Sequence, residues 1–212
     1  MTGPPAPGPP LTCTAPDGLA LGGWDDVPAL TEVVAAAFWD LAPSRWLIAD
    51  PAQRRAVFPP YSQVLVELAL TDGIVLTTPD RSAAALWLDA RAGHGGTFTD
   101  YDTRVAAVAG PYAERFATFD RLLEDHYPTE TGYFHLAILA VHPARQRQGL
   151  GRALLDGAHQ RLDAAGLPAY LEASDLGTRS IYLRHGYADH GDPVTFPGGP
   201  SMYPMWRDPA VR

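Results

Sequence analysis

The chain has 212 residues, 46% of them hydrophobic and 19% charged, with a formal net charge of −8. Such a composition buries a core and is not that of a disordered chain, and 24 acidic against 16 basic residues argue against nucleic acid as a partner. Every basic residue is an arginine, which excludes a lysine-dependent phosphate loop and Schiff-base chemistry.

Residues 1–17, rich in Pro and Gly, read as a flexible leader, with residues 18–212 as a single domain. The leader lacks the basic start and apolar stretch of a secretory signal. No apolar run reaches the roughly 18 residues that cross a bilayer. The lone Cys13 has no partner for an internal disulfide, and a cytoplasmic location is the expectation. "LALGGWDDVPALTEVVAAAF" predicts a short strand, a turn and a helix capped by Asp25 or Asp26. Pro28 falls in the first turn of that helix, and Val27, Leu30, Val33, Val34, Ala37 and Phe38 form its apolar stripe. A second helical stretch covers 51–71, with an interruption expected at Pro59-Pro60. "IVLTT" and "AAALWLDA" predict strands joined by the turn "PDRS", and 100–125 reads as helix broken at Gly110-Pro111.

The run "YFHLAILAV", 133–141, is nearly continuously apolar, as in a strand buried on both faces. After the loop "HPAR", Leu150, Ala153, Leu154, Ala158, Leu162 and Ala165 line one face of a helix that ends near Gly166-Leu167-Pro168. "AYLEAS", 169–174, is a second buried strand, "TRSIYLRHGY", 178–187, a short helix, and "PGGP" the turn of a C-terminal hairpin. Strand–helix–strand implies an α/β sheet with a right-handed crossover.

Between strand and helix lies "ARQRQGLGRALLDG", 144–157, where Arg145, Arg147 and Arg152 surround Gly149 and Gly151. A helix N-terminus offers unpaired N–H groups and partial positive charge, glycines let a ligand approach the backbone, and guanidinium groups bond to oxygens. That combination suits a phosphorylated ligand; the alternative is a connecting loop with solvated arginines. A dinucleotide fingerprint fits poorly. Leu154 stands where its third glycine belongs, and Pro143 to Gln148 separate the glycines from the strand, although Glu172 follows at about the distance that fingerprint asks.

"LAVHPARQRQGLGRALL" resembles the acetyl-CoA-binding motif of the GCN5-related N-acetyltransferases, with Gln146-Arg147-Gln148-Gly149-Leu150-Gly151 in place of its Gln/Arg-x-x-Gly-x-Gly/Ala core. "LPAYLEAS" follows as the next strand and "IYLRHGY" as the family's Tyr-x-x-x-Gly-Phe/Tyr element. The opening "DDVP" and the short span from strand glutamate to helix tyrosine are similar to the puromycin N-acetyltransferase type. The resemblance implies a mixed, largely antiparallel sheet splayed between its fourth and fifth strands and flanked by helices. It also implies acetyl-CoA as co-substrate, with no metal. The pantetheine arm would bond to the main chain of Leu139, Ala140 and Val141. The amides of Arg147, Gln148, Gly149, Leu150, Gly151 and Arg152, with Gln146, would hold the pyrophosphate. Where the family often carries Asn, this chain has Thr178, which can cap the helix but weakens an amide contact to the cofactor.

Direct attack of an amine on the thioester needs a proton for the departing thiolate, and Tyr182 matches the family's donor. A main-chain N–H near Leu139 to Val141 is the expected oxyanion donor. Glu172, a carboxylate in an apolar strand, is either the base for the incoming amine or a salt-bridge partner of Arg179 or Arg184. His135 reads as a core histidine, and the remaining histidines show no metal-ligand spacing. The acceptor pocket is expected from residues 35–62 with Phe38, Trp39, Trp46 and Tyr61, plus Trp87, and suits a cationic, partly apolar amine. The expected partner is a small-molecule primary amine, an antibiotic or other secondary metabolite among them, with neither nucleic acid nor membrane; the C-terminal hairpin offers a homodimer contact. Acetylation of a protein N-terminus or lysine, and a non-catalytic acyl-CoA-binding module, are the alternatives.

Overall fold

A computed structural model describes residue 16 and residues 18–91, 96–128 and 132–210. Most of the leader, with Cys13, and His94 lie outside the described residues. Eight strands form one mixed sheet: β1 (Ala20–Leu21), β2 (Gly73–Thr77), β3 (Ala83–Asp89), β4 (Phe134–Val141), β5 (Ala169–Ala173), β6 (Ala188–Asp189), β7 (Val194–Thr195) and β8 (Ser201–Arg207). Their order is β1-β2-β3-β4-β5-β8-β6, with β7 paired to β8. All neighbours are antiparallel except β4 and β5. The parallel pair is joined through α6 (Leu150–Ala165), the crossover expected from strand–helix–strand order.

Helix α6 lies on one sheet face, where Leu154, Leu155, Ala158 and Leu162 pack on Ala83, Ala85, Phe134, Leu136 and Leu171. Of the stripe read from the periodicity, Leu154, Ala158 and Leu162 are buried and Leu150 half-buried, but Ala153 and Ala165 are exposed and Leu155 is buried instead, because the face that meets the sheet is turned towards Leu155 and His159. Gly166, left-handed at φ +65°, closes the helix while Leu167 N–H bonds back to the Leu162 carbonyl. The opposite face is covered by α1 (Val27–Phe38) and α3 (Pro51–Asp72), through Leu30, Val34, Val66 and Ala69 against Val75, Ala84, Leu86 and Ile138. Beyond them α2 (Ala42–Leu47), α4 (Tyr101–Ala109) and α5 (Ala113–Glu124) pack on α3 around Phe58, Tyr61, Val105 and Phe116. Helices α4 and α5 are separated at Gly110-Pro111, as the break there predicted.

Three local readings change. Helix α3 runs unbroken through Pro59 and Pro60. The two prolines remove the hydrogen bonds to the carbonyls of Arg55 and Ala56, which sit on the exposed face where water can replace them, whereas Val57, Phe58, Tyr61 and Val64 are buried and hold the helix together. Asp26 precedes α1 without bonding to that helix's first-turn amides. Its carboxylate instead accepts from Gly23 N–H at 3.0 Å and from Arg81 at 2.8 Å. Helix α7 (Leu176–Arg184) begins two residues earlier than expected: Asp175 is its cap, accepting from Thr178 N–H at 2.8 Å, while Thr178 Oγ1 accepts from Asp175 N–H at 3.1 Å. Thr178 is therefore the third-position partner of a capping box rather than the cap.

Candidate active site

Strands β4 and β5 are paired only at Phe134–Ala169 and His135–Tyr170. Beyond His135 the two diverge, so the sheet is splayed between its fourth and fifth strands. A β-bulge accompanies the divergence. The register with β3 steps from Trp87–Leu136 to Leu86–Ile138, leaving Ala137 without a partner there. The bulge exchanges the faces of β4: Phe134 and Leu136 pack towards α6, but Ile138 and Ala140 pack towards α1. His142 N–H bonds to the Ser82 carbonyl at 2.9 Å, so strand alternation turns the main chain of Ala140 towards β3 and that of Leu139 and Val141 towards the gap. Of the three residues expected to meet a pantetheine arm, Leu139 and Val141 present main-chain groups to the opening and Ala140 does not.

The loop that follows β4 is built to expose its amides. Arg147 (φ +62°) and Gly149 (φ +82°) are both left-handed, and alternation of this kind points successive N–H groups into a common concavity. Among the described residues, the main-chain N–H groups of Arg147, Gln148 and Gly149 donate to no carbonyl, and those of Leu150, Gly151 and Arg152 open α6 without intrahelical partners. Gly151 lies close to β4, where a Cβ would stand 3.6 Å from Val141 and 3.9 Å from Leu139. Gln146 donates through its side chain to the Val141 carbonyl at 3.3 Å and so ties the loop to the strand end. The arginines divide their duties. Arg145 pairs with Asp80 at 2.9 Å and Arg152 with Asp156 at 3.2 Å, while Arg147 has no ion-pair partner among the described residues.

Glu172 does not pair with Arg179 or Arg184. Its Oε2 meets His135 Nε2 at 2.9 Å, both side chains about 5% exposed, and Arg179 instead forms a two-pronged bond with Asp189. Position explains the pairing: His135 and Tyr170 are register partners, and Glu172 lies two residues on, along the same face of β5. The rings of Tyr127 and Tyr170 pack edge-on against His135, with centroids at 5.2 and 5.3 Å. Glu172 Oε1 is buried with no hydrogen-bond partner among the described residues.

Tyr182, partly buried on α7, packs on Tyr187 at 5.7 Å. Burial, and then the charge of Asp175, raises its hydroxyl above the ordinary tyrosine range, so it stays protonated at neutral pH. No hydrogen bond occupies that hydroxyl among the described residues, and it is free to donate.

One cavity of about 880 Å³ joins these groups. At one end stand Leu139, Val141, Gln146, Arg147, Gly149, Gly151 and Arg152; in the middle His135, Glu172, Thr178 and Tyr182; at the other end Phe38, Leu41, Tyr61, Phe98, Tyr101, Asp120 and Tyr127. Of the aromatics expected around an acceptor, Phe38 and Tyr61 line it. Trp87 is buried under α6, Trp46 packs on Phe196 at 4.9 Å, and Trp39 stacks beneath Arg54 and Arg55. Asp120 was not singled out from the sequence, where it is one acid in the amphipathic helix α5. Burial, followed by the charges of Glu124 and Asp102, pushes its carboxyl up to about 7. No group of three or more His, Cys, Asp or Glu side chains could hold a metal ion, and no helix is long and apolar enough to cross a membrane, among the described residues.

Comparison with known proteins shows what this splayed mixed sheet, with its amide-lined loop at the split, is similar to. Residues 121–207 match the family model of the acetyltransferase (GNAT) domain. A structure from Corynebacterium glutamicum, described as histone acetyltransferase HPA2 and related acetyltransferase, superposes with a TM-score of 0.64 at 22% identity, covering 94% of this chain and 99% of that one. Arylalkylamine N-acetyltransferase 2 from Aedes aegypti superposes with a TM-score of 0.58 at 12% identity, covering 91% and 98%. A GCN5-related N-acetyltransferase from Rhodopseudomonas palustris gives 0.54 at 12%, covering 93% and 98%. Residues 121–207 are thus similar to the GNAT acetyltransferase domain, and the fold of the chain is the GNAT fold.

Proposed function

We propose that the protein is an acetyl-CoA-dependent N-acetyltransferase that acetylates a primary amine of a small molecule. The cavity carries this reading: it is continuous from unpaired loop amides, through Glu172, His135 and Tyr182, to a wall of apolar and aromatic side chains contributed by α1 to α5. A peptide needs a groove open along its length, whereas this acceptor end is ringed by helices and suits a compact ligand. An antibiotic amine, the acceptor suggested by the likeness to puromycin N-acetyltransferases, belongs to the same class.

The residues suit acetyl-CoA, which supplies the acetyl thioester. The N–H groups from Arg147 to Arg152 and the Arg147 guanidinium would hold the pyrophosphate, and the main chain of Leu139 and Val141 the pantetheine arm. Glu172, bonded to His135, takes a proton from the arriving ammonium so that the nitrogen attacks with a free lone pair. A main-chain N–H on the open edge of β4 stabilises charge on the acetyl oxygen. The Tyr182 hydroxyl donates to the thiolate as it leaves; since burial makes that hydroxyl a weak acid, its contribution is chiefly a hydrogen bond to developing charge. The test is release of CoA thiol across a panel of small amines, aminonucleosides, amino sugars and peptides. Thiol release dependent on a small amine supports the reading, release with peptides alone refutes the small-molecule acceptor, and absence of acetyl-CoA binding at high micromolar concentration refutes both.

A further inference from the structure

The cavity is electrically lopsided. Its cofactor end carries Arg147 and Arg152, and its acceptor end carries Asp102, Asp120 and Glu124. None of these three carboxylates has a salt-bridge partner among the described residues, although arginines pair with Asp26, Asp80, Asp89 and Asp163 elsewhere. The nearby cations are committed: Arg104 bonds to Glu67 at 2.6 Å, Arg121 to Asp125, and Arg115 lies over Trp46. Asp120 is the inner member, partly buried, with the Tyr101 hydroxyl at 3.5 Å as its hydrogen-bond contact, and Asp102 and Glu124 are exposed beside it. A second observation in the same cavity points to a cationic ligand. The Glu172 side chain is about 5% exposed, and its Oε1 is buried and unpartnered among the described residues. The acceptor path therefore holds two separate negative points, Glu172 on β5 and Asp120 on α5. Tyr127 lies within the field of both, and its hydroxyl is raised by burial and then by Glu172, Asp120 and Glu124.

We propose that the acceptor is an amine bearing a second basic nitrogen, and that Asp120 binds this second, non-reacting cation while the reacting amine lies at Glu172. The inference rests on the amine N-acetyltransferase reading. The reacting nitrogen must lose its proton beside the open edge of β4, so a carboxylate on another helix cannot serve that nitrogen; it serves a charge elsewhere on the same molecule. A carboxylate without a counter-ion in this setting is costly, and burial accordingly holds Asp120 partly protonated near neutrality. An arriving ammonium supplies the missing counter-charge and expels that proton. The groups facing Asp120 are Tyr101 and Asp102 from α4, Glu124 from α5, Tyr61 from α3 and Tyr127, and none of them brings positive charge.

Binding of 1,3-diaminopropane, 1,5-diaminopentane and 1,7-diaminoheptane to the full chain saturated with CoA is measured by calorimetry, with n-pentylamine as the single-charge control. The best diamine is expected to bind roughly tenfold or more tightly than n-pentylamine, as a charged hydrogen bond predicts. In Asp120→Asn that preference falls to below about threefold, with CoA affinity unchanged. At pH 6.5, buffers of different ionisation enthalpy should show proton release on diamine binding by the native chain, a readout that needs no variant. Equal binding of diamines and monoamine, or a preference that survives in Asp120→Asn, overturns the proposal. Turnover of n-pentylamine alongside equal binding would leave the amine N-acetyltransferase standing without this acceptor class. CoA binding with no turnover of any amine would remove that reading instead, while the binding preference still decides the role of Asp120.

Discussion

Asp120 connects stability to pH with a definite sign. Its carboxyl is held at about 7 in the folded chain against an ordinary value of 3.8, chiefly by burial. Between those values the folded chain keeps a proton that the unfolded chain has lost, so this group lowers stability as pH rises from about 4 to about 7, and the loss persists above. About 3 pH units at 1.36 kcal/mol each bound the cost at about 4 kcal/mol. Remaining contact with solvent screens it, and ~1–3 kcal/mol is the expected size. Asp120→Asn imitates the protonated side chain. At pH 4 variant and native chain should unfold at nearly the same temperature, and a difference should already open by pH 5. At pH 8 the variant should be the more stable, by roughly 2–12 °C at the 2–4 °C per kcal/mol usual for this chain length. Thermal unfolding followed by circular dichroism at both pH values decides it. An identical difference at the two pH values would refute the argument that a buried, uncompensated carboxylate sits at this position, and a variant less stable at pH 8 would reveal a counter-ion.

Tyr182→Phe should lower kcat about 10²-fold while leaving acetyl-CoA affinity within about twofold, because the hydroxyl acts on the leaving thiolate; steady-state rates and calorimetry read the two separately, and unchanged kcat removes the tyrosine from the chemistry. Glu172→Gln should change the acid-side limb of the rate–pH profile, where a general base must give up its proton to act, as well as lowering the rate, whereas a profile that keeps its shape and only scales down would make the His135 pair purely structural. Gly149→Ala places a methyl group where nothing lies within 4 Å but where φ is +82°. The strain of about 1–2 kcal/mol should weaken acetyl-CoA binding roughly tenfold with little change in the unfolding temperature; intact affinity would separate the loop conformation from cofactor binding. Asp175→Ala removes the cap of α7 and should cost about 1 kcal/mol, measurable by urea denaturation, with no loss of stability counting against the capping box.

The parts of the fold that local chemistry decides were readable from the chain. A nearly unbroken apolar run marks β4 because both its faces are covered, and a periodic stripe ended by glycine and proline marks α6 because each signal acts within a few residues. The amide-rich loop between them was visible for the same reason, since Gly149 and the first turn of a helix expose N–H groups wherever they occur. Other features depend on partners distant in sequence. Helix α3 survives two prolines because its buried side holds it and its damaged side faces water. Ala137 is bulged because β3 and β4 differ in register, and that bulge decides which residues of β4 face each side of the sheet. Arg179 takes Asp189, ten residues further along the chain, leaving Glu172 to a histidine 37 residues upstream. Asp120 shows nothing in its own segment to distinguish it from other surface acids; only the packing of α3, α4 and α5 encloses it. Sequence by itself determined most of the elements and the loop of exposed amides after β4, because hydrogen-bonding capacity and periodicity are local. Tertiary structure decided the charge pairing and the acceptor end of the cavity, because solvation and Coulomb energy depend on which distant segments the fold brings into contact.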